Sequence, residues 1–329
     1  MHYVVTRLHW VTMGKGTAWR IWSGAGACAA ALAGLLAAAA SSAEDPPERT
    51  PAAAAEECGP GAERRTGPGT VRDSHGISPA EAAEYERMLR EARVPHRGDG
   101  PVTVPVALHV ITAADGTGDV SDDKVREQID VMNRGFGGGY AGVDTGFRFE
   151  LREVTRTGDD AWFGSFEANE AKAKAELRRG GPETLNIYTV DMGAGVLGQS
   201  TFPQDYRTDP KADGVVVDYR TVPGGGRKGF DLGHTATHET GHWLGLFHTF
   251  QNGCSHPGDY VEDTPYEREQ SSGCPVGRDT CADKPGTDPV RNFMNYSDDP
   301  CLREFTQGQA DRMGDHWHAF RGRQGNPAR

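Results

Sequence analysis

Basic clusters are missing from this chain, apolar runs long enough to cross a membrane are missing beyond residue 40, and cysteine and aromatic residues are sparse. With a formal charge of −12, the lack of any Lys/Arg cluster argues against nucleic acids and anionic membrane surfaces as partners. No internal repeat is present, which sets aside solenoids and arrays. Aromatics make up only 8% and cysteines number six in 329 residues, too few for a small disulfide scaffold and enough for a globular domain with local staples.

The one long apolar stretch, Ile21 to Ala40, follows Lys15 and Arg20 and precedes Ser41-Ser42-Ala43, with small residues at −3 and −1 of a cleavage site. Its Ala/Gly content makes it weakly hydrophobic, so residues 1–43 read as an export signal rather than a retained anchor. Met13 is a candidate start, because residues 1–12 lie ahead of this pattern. A secreted, extracellular protein is expected, without stable membrane association and acting as a monomer. Export makes disulfides the default for the cysteines that remain. Cys28 leaves with the leader, Cys254, Cys274, Cys281 and Cys301 permit three pairings, and Cys58 is left over.

What the chain does have is concentrated between residues 238 and 248: His238-Glu239-Thr240-Gly241-His242-Trp243-Leu244-Gly245-Leu246-Phe247-His248. On a helix, His238 and His242 are four apart and project from one face, as two ligands of a single Zn²⁺. Glu239 is on the adjacent flank, placed to act as a general base. Gly245 lets the helix stop and the backbone swing, and His248 returns as third ligand, leaving a fourth tetrahedral position open. One histidine alone would be read as a surface or core residue; three with Glu and Gly at this spacing would not. Glu262 as an alternative third ligand sits in a Pro- and Asp-rich loop and is the weaker choice.

Along the chain, residues 44–70 are rich in Ala, Glu, Pro and Gly. Ser78-Pro79-Ala80-Glu81 caps a helix running to about Arg93, and residues 94–101 break it as a linker. Val102–Ile111 reads as a strand, Ser121 opens a helix with Val125, Ile129 and Met132 inward, and Phe147–Val154 alternates as a strand. Ala168–Arg179 is helical, and Leu185–Val190 and Gly214–Tyr219 are further strands. Leu197–Pro203 has the glycine and terminal proline of an edge strand. The predicted class is α/β (α+β) with a mixed twisted sheet.

The 238–248 string resembles the metzincin zinc endopeptidases. Asn292-Phe293-Met294-Asn295-Tyr296-Ser297 is similar to their Met-turn. Val261-Glu262-Asp263-Thr264-Pro265, and Cys301 to Gln309 with Arg312-Met313, are similar to motifs of the pappalysin (cytophagalysin) family. The resemblance spans about residues 102–318 and is dense from His234 to Met313. It implies a secreted zinc endopeptidase acting on peptide and protein substrates, a metzincin-like domain with a long zinc helix, and an edge strand that binds substrate by strand addition. It further implies Met294 as the floor under the metal, Tyr296 beside the reacting carbonyl, and the pairs Cys254–Cys281 and Cys274–Cys301 stapling the C-terminal part. Cys58 in a pro-segment of residues 44–97, cut between Arg93 and Asp99, would be a latency switch, with the catalytic domain at 98–329. The acids Asp259, Glu262, Asp263, Asp279 and Asp283, with Thr264, leave a Ca²⁺ site and a solvated acidic loop both open. A relative with an acidic pocket residue near the Met-turn favours Arg after the scissile bond; here Asp298 and Asp299 lie slightly early, with Pro300 before Cys301, which puts that preference in doubt. The competing function is a catalytically silent zinc- or calcium-binding module on a protease fold. His234 reads as a residue behind the ligands, and His256, His316 and His318 as surface residues.

Overall fold

The computed structural model describes residues 76–92 and 100–322, all within one compact unit spanning 64–329. The expected export signal, the expected switch residue Cys58 and the expected cleavage segment between Arg93 and Asp99 lie outside the described residues.

Helix α1, Pro79–Glu91, starts as its sequence dictates. Ser78 accepts from the Glu81 amide while Glu81 reaches back to Ser78, with Pro79 at the first helical position. Strand β1, Val102–Thr112, leads through helix α2, Asp122–Phe136, to strand β2, Phe147–Gly158. Helices α3, Asp160–Gly164, and α4, Phe166–Leu177, precede strand β3, Leu185–Val190. The short α3 has no counterpart in the sequence reading; Asp159 caps it by accepting from the Ala161 and Trp162 amides. Strand β4, Gly198–Ser200, and strand β5, Val215–Asp218, complete the sheet.

The sheet order is β2-β1-β3-β5-β4. The first four strands run parallel, and β4 joins β5 antiparallel as an edge, so the mixed sheet and its edge strand are as expected. Both faces are covered, which is why β3 and β5 are buried at every position. Val104, Val106, Leu108 and Val110 of β1 pack with Val125, Ile129, Met132 and Phe136 of α2. On the opposite face Ile111, Tyr188, Val190 and Val216 meet Trp162, Phe166 and Leu177.

Helix α5, His234–Trp243, lies on the α2 face with Ala236 and Trp243 in the same core. After it the chain runs to residue 306 among the described residues with only one isolated β-bridge, Asn292 with Glu304. Disulfides Cys254–Cys281 and Cys274–Cys301 cross this stretch with Cα–Cα distances of 5.6 and 5.5 Å. Helix α6, Gln307–His316, closes the domain; Thr306 and Gln309 form its capping box. His316, expected on the surface, is fully buried. It is the last residue of α6, and its ring lies against the backbone of Gly245.

Candidate metal and active site

Helix α5 ends in the way its glycine permits. Gly245 has φ +97°, its amide donates to the His242 carbonyl at 2.8 Å, and the Leu246 amide donates to the Gly241 carbonyl at 2.9 Å. That pair of bonds is the Schellman arrangement, which needs a left-handed residue after the cap. A Cβ at Gly245 would also lie 2.3 Å from the His316 ring. The reversal brings His248 back toward the face of α5 that carries His238 and His242.

The three imidazoles meet. Their Nε2 atoms are separated by 3.3 Å (His238–His248), 3.1 Å (His238–His242) and 3.0 Å (His242–His248). His238 Nδ1 is 2.6 Å from the Phe293 carbonyl and His242 Nδ1 is 2.7 Å from the Leu246 carbonyl. A carbonyl only accepts, so both Nδ1 atoms carry the proton and both Nε2 atoms present lone pairs to one point. A tetrahedral ion with Zn–N of about 2.0–2.1 Å holds its nitrogens about 3.3 Å apart. The donor set therefore fits zinc, and lone pairs converging at this distance repel unless a cation lies between them. Among the described residues this is the one trio of His, Cys, Asp or Glu side chains close enough to share a metal.

The surrounding residues come from four segments. Met294 is fully buried, and its Sδ lies 2.4 Å from where a Cβ of Gly241 would stand, so the thioether sits tight against α5. Tyr296 is half-buried, with its ring 4.9 Å from that of His248 and 5.7 Å from that of His238. Phe250 stacks on His248 at 4.7 Å and 7°. Glu239 is buried and lines a pocket of about 40 Å³ with Leu197, His238, Tyr296, Asp299 and Leu302. Edge strand β4 approaches Glu239 so closely that a Cβ at Gly198 would be 2.6 Å from its Oε1.

Of the two acids before Pro300, Asp299 is the one that lines this pocket. Burial pushes its carboxyl up to about 7, although the Leu232 amide donates to it at 2.8 Å. Its carbonyl receives His234 Nδ1 at 3.0 Å, and burial lowers His234 to about 4, so that ring is neutral. His234 thus lines the pocket beside Asp299, edge-on to Tyr140 and Phe293.

The sequence-predicted residues His238, Glu239, His242, His248, Met294 and Tyr296 are all gathered at this one locus. Sequence reasoning missed Gly198 against Glu239, Phe250 on His248, and Glu267. The buried Glu267 carboxylate accepts from Thr249 and Asn295 at 2.8 Å each and from Ser271 at 2.9 Å. It therefore ties the residue after His248 to the residue after Met294. No local pattern announces it, since one Glu in an acidic loop looks solvated.

Comparisons with known proteins agree with this geometry. The profile of peptidase family M43, described as pregnancy-associated plasma protein-A, matches residues 186–317. Extracellular metalloprotease 1 of Coccidioides posadasii is 43% identical over 246 residues, covering 73% of this chain and 86% of the relative. The chain belongs to peptidase family M43. An extracellular metalloprotease of Verticillium alfalfae is 42% identical over 270 residues, 79% of this chain and 92% of that protein. Among solved structures, a promirolysin mutant of Tannerella forsythia superposes with a TM-score of 0.63 at 27% identity, over 73% of this chain and 88% of that one. Mature mirolysin of the same organism, in complex with a cleaved peptide, gives 0.58 at 29%, over 67% and 96%. This M43 protein is a zinc metalloendopeptidase with a metzincin-like mixed α/β domain.

Proposed function

We propose that the protein is an exported endopeptidase in which His238, His242 and His248 hold the zinc and Glu239 is the general base. The convergence of three Nε2 atoms within 3.3 Å, beside a buried carboxylate that faces a pocket, carries this reading. Zinc bound there would supply Lewis acidity toward water and toward the scissile carbonyl. Glu239 takes a proton from the attacking water and returns it to the leaving amine. The Tyr296 hydroxyl donates to the oxygen on which charge develops. The peptide lies along the open edge of β4 and pairs main chain to main chain, with one side chain in the pocket beside Glu239. Replacing Glu239→Gln is expected to leave one zinc per chain while casein cleavage falls by at least about 10³-fold. Full activity in that variant, or a wild-type protein that binds no zinc, would sink the assignment.

Export uses residues 1–43, and a following segment that carries Cys58 keeps the enzyme latent by occupying the substrate side of the metal site. A secreted Cys58→Ala protein is expected to cleave substrate without processing; unchanged latency counts against the switch. We also assign a calcium ion to the loop after His248. Asp259 is buried beside the Thr264 hydroxyl, with its backbone partner at the Val261 amide, 3.1 Å away. Burial pushes the Asp259 carboxyl up to about 8 against the lowering influence of Arg312, and a bound cation would favour its ionised form. Asp263 is engaged elsewhere, accepting from Thr306 and from the Gly308 amide. Calcium should raise the Tm of the zinc-loaded protein and should do nothing for Asp259→Asn; an equal shift in both would remove the site.

A further inference from the structure

Two walls of the pocket beside Glu239 differ from the rest in how they are held. Most of the lining comes from α5 and from the stretch 295–302, which the Cys274–Cys301 disulfide anchors. Leu197 and Phe230 come instead from two connections, β3 to β4 and β5 to α5. The second contains Pro223-Gly224-Gly225-Gly226-Arg227-Lys228-Gly229, and its four glycines offer no side chain with which to dock a loop.

Arg227 supplies what the glycines lack. Its Nη1 donates to the Gly193 carbonyl at 2.7 Å and its Nη2 to the Ala194 carbonyl at 2.6 Å. Within its own connection the Arg227 amide donates to the Arg220 carbonyl at 3.0 Å, and the Arg227 carbonyl accepts the Phe230 amide at 2.7 Å. One residue therefore joins Phe230 to the turn that leads into Leu197. Asp218, the last residue of β5, completes the joint. Its buried carboxylate lies 3.5 Å from Arg227 Nη1 and accepts Arg220 Nε at 2.8 Å and the Met192 amide at 3.3 Å. Arg220 reaches on to the Gly193 carbonyl at 2.9 Å, and the Asp218 amide donates to the Leu197 carbonyl at 2.8 Å. Charge-assisted bonds thus converge on residues 192–194, and with its side chain only 13% exposed Arg227 makes them away from competing water.

The pocket is narrow, about 40 Å³, so a small movement of either wall changes which side chain fits. One methylene in an apolar pocket is worth about 10–200-fold in discrimination. We propose that Arg227 is a positioning residue for substrate selection. It clasps the glycine-rich connection to the β3–β4 turn and so fixes the width of the pocket that takes a substrate side chain. Because β4 begins at Gly198, directly after Leu197, the same clasp sets where the peptide main chain pairs. Among the described residues Arg227 bonds neither α5 nor His248, so metal binding is left alone. The inference rests on the reading of this pocket as the substrate site.

The test is cleavage profiling on a peptide library, with kcat, KM and zinc content, for wild type, Arg227→Ala and Arg227→Lys. Arg227→Ala should flatten the wild-type preference for the residue after the scissile bond roughly tenfold and raise KM on the best peptide. Its kcat should stay within about twofold of wild type, with one zinc per chain. Arg227→Lys, which has no two-pronged guanidinium to span both carbonyls, should fall between. The control is Arg156→Ala on β2, at the opposite edge of the sheet, where Arg156 meets Asp119 and Asp122 at 2.6 Å each; its profile should be that of wild type. A folded, zinc-loaded Arg227→Ala with the wild-type profile overturns the proposal. So does an equal change in Arg156→Ala, or a loss of zinc in step with selectivity, which would make Arg227 merely structural. If Arg227→Ala does not fold, the Arg227→Lys profile decides. A wild-type protein that cleaves no peptide removes the endopeptidase reading as well, whereas an active wild type matched by Arg227→Ala removes only the clasp.

Discussion

The sheet half, residues 102–218, and the loop half, residues 249–305, are held together by different physics. In the first, parallel ladders satisfy the backbone, and two apolar layers supply the stabilisation. In the second, regular structure is nearly absent, and side chains do what ladders do elsewhere. Asp288 accepts from Arg278 at 2.6 Å and from the Thr280 amide and hydroxyl at 2.9 and 2.8 Å. Asn292 and Gln309 exchange hydrogen bonds at 2.8 and 3.0 Å. Each half contributes to the site: the sheet brings Gly198 against Glu239, and the loop half brings Met294 and Tyr296 to the histidines. The loop half should therefore be where stability and catalysis fail together.

The largest separation is expected from the disulfides. Cys274 and Cys301 are 27 residues apart, so replacing both with Ala should cost about 3.5 kcal/mol on the chain-entropy model. Reductant should abolish activity while the far-UV circular dichroism of the sheet persists. Simultaneous loss of both signals would show that the two halves melt as one.

The next contrast sets Leu108→Ala in the sheet against Glu267→Gln in the loop. Leu108 is 1% exposed, and its truncation should cost about 3 kcal/mol by urea denaturation with kcat preserved in the folded fraction. Glu267→Gln turns one acceptor into a donor facing donors, at a cost of about 2 kcal/mol. It should nonetheless lower kcat more than Leu108→Ala does. The comparison fails if kcat follows stability alone in both variants.

The smallest effect is one of pH within the sheet. His109 sits between Thr155 at 2.7 Å and Asn186 at 3.0 Å, and burial lowers its pKa to about 4. Asn186 Oδ1 accepts the Arg179 amide and so also accepts from His109 Nε2, while burial keeps the ring neutral. Below pH 6.5 the unfolded chain takes a proton that the folded ring refuses. Stability from this group is therefore full above pH 6.5 and lost as pH falls toward 4. Asp299, raised to about 7, has the opposite slope, because its folded carboxyl gains a proton first. The difference between wild type and His109→Gln isolates the histidine. The variant should lose on the order of 1 kcal/mol less between pH 6.5 and pH 5. An identical loss in both would mean that His109 is protonated in the fold.

Strands β1, β3 and β5 and helices α1 and α2 were legible because alternation, helical spacing and caps such as Ser78 and Ser121 are local. Strand β4 was legible only as a type; that it presses against Glu239 was not. The 160–164 helix escaped because five residues carry no period. His316 was misjudged because its setting depends on Gly245, a residue 71 positions earlier (316 − 245), whose missing side chain makes the space.

The order of residues along 238–248 determined on its own that two imidazoles share a helix face and that the chain reverses at Gly245, because 3.6 residues per turn and a left-handed glycine are properties of short peptides. Tertiary structure alone decided the rest. It set which carbonyls orient His238 and His242, how Met294 seats against Gly241, and that Arg312 donates to the Gly245 carbonyl. Those contacts join segments far apart in sequence, and burial and packing between whole elements, which no local spacing encodes, bring them together.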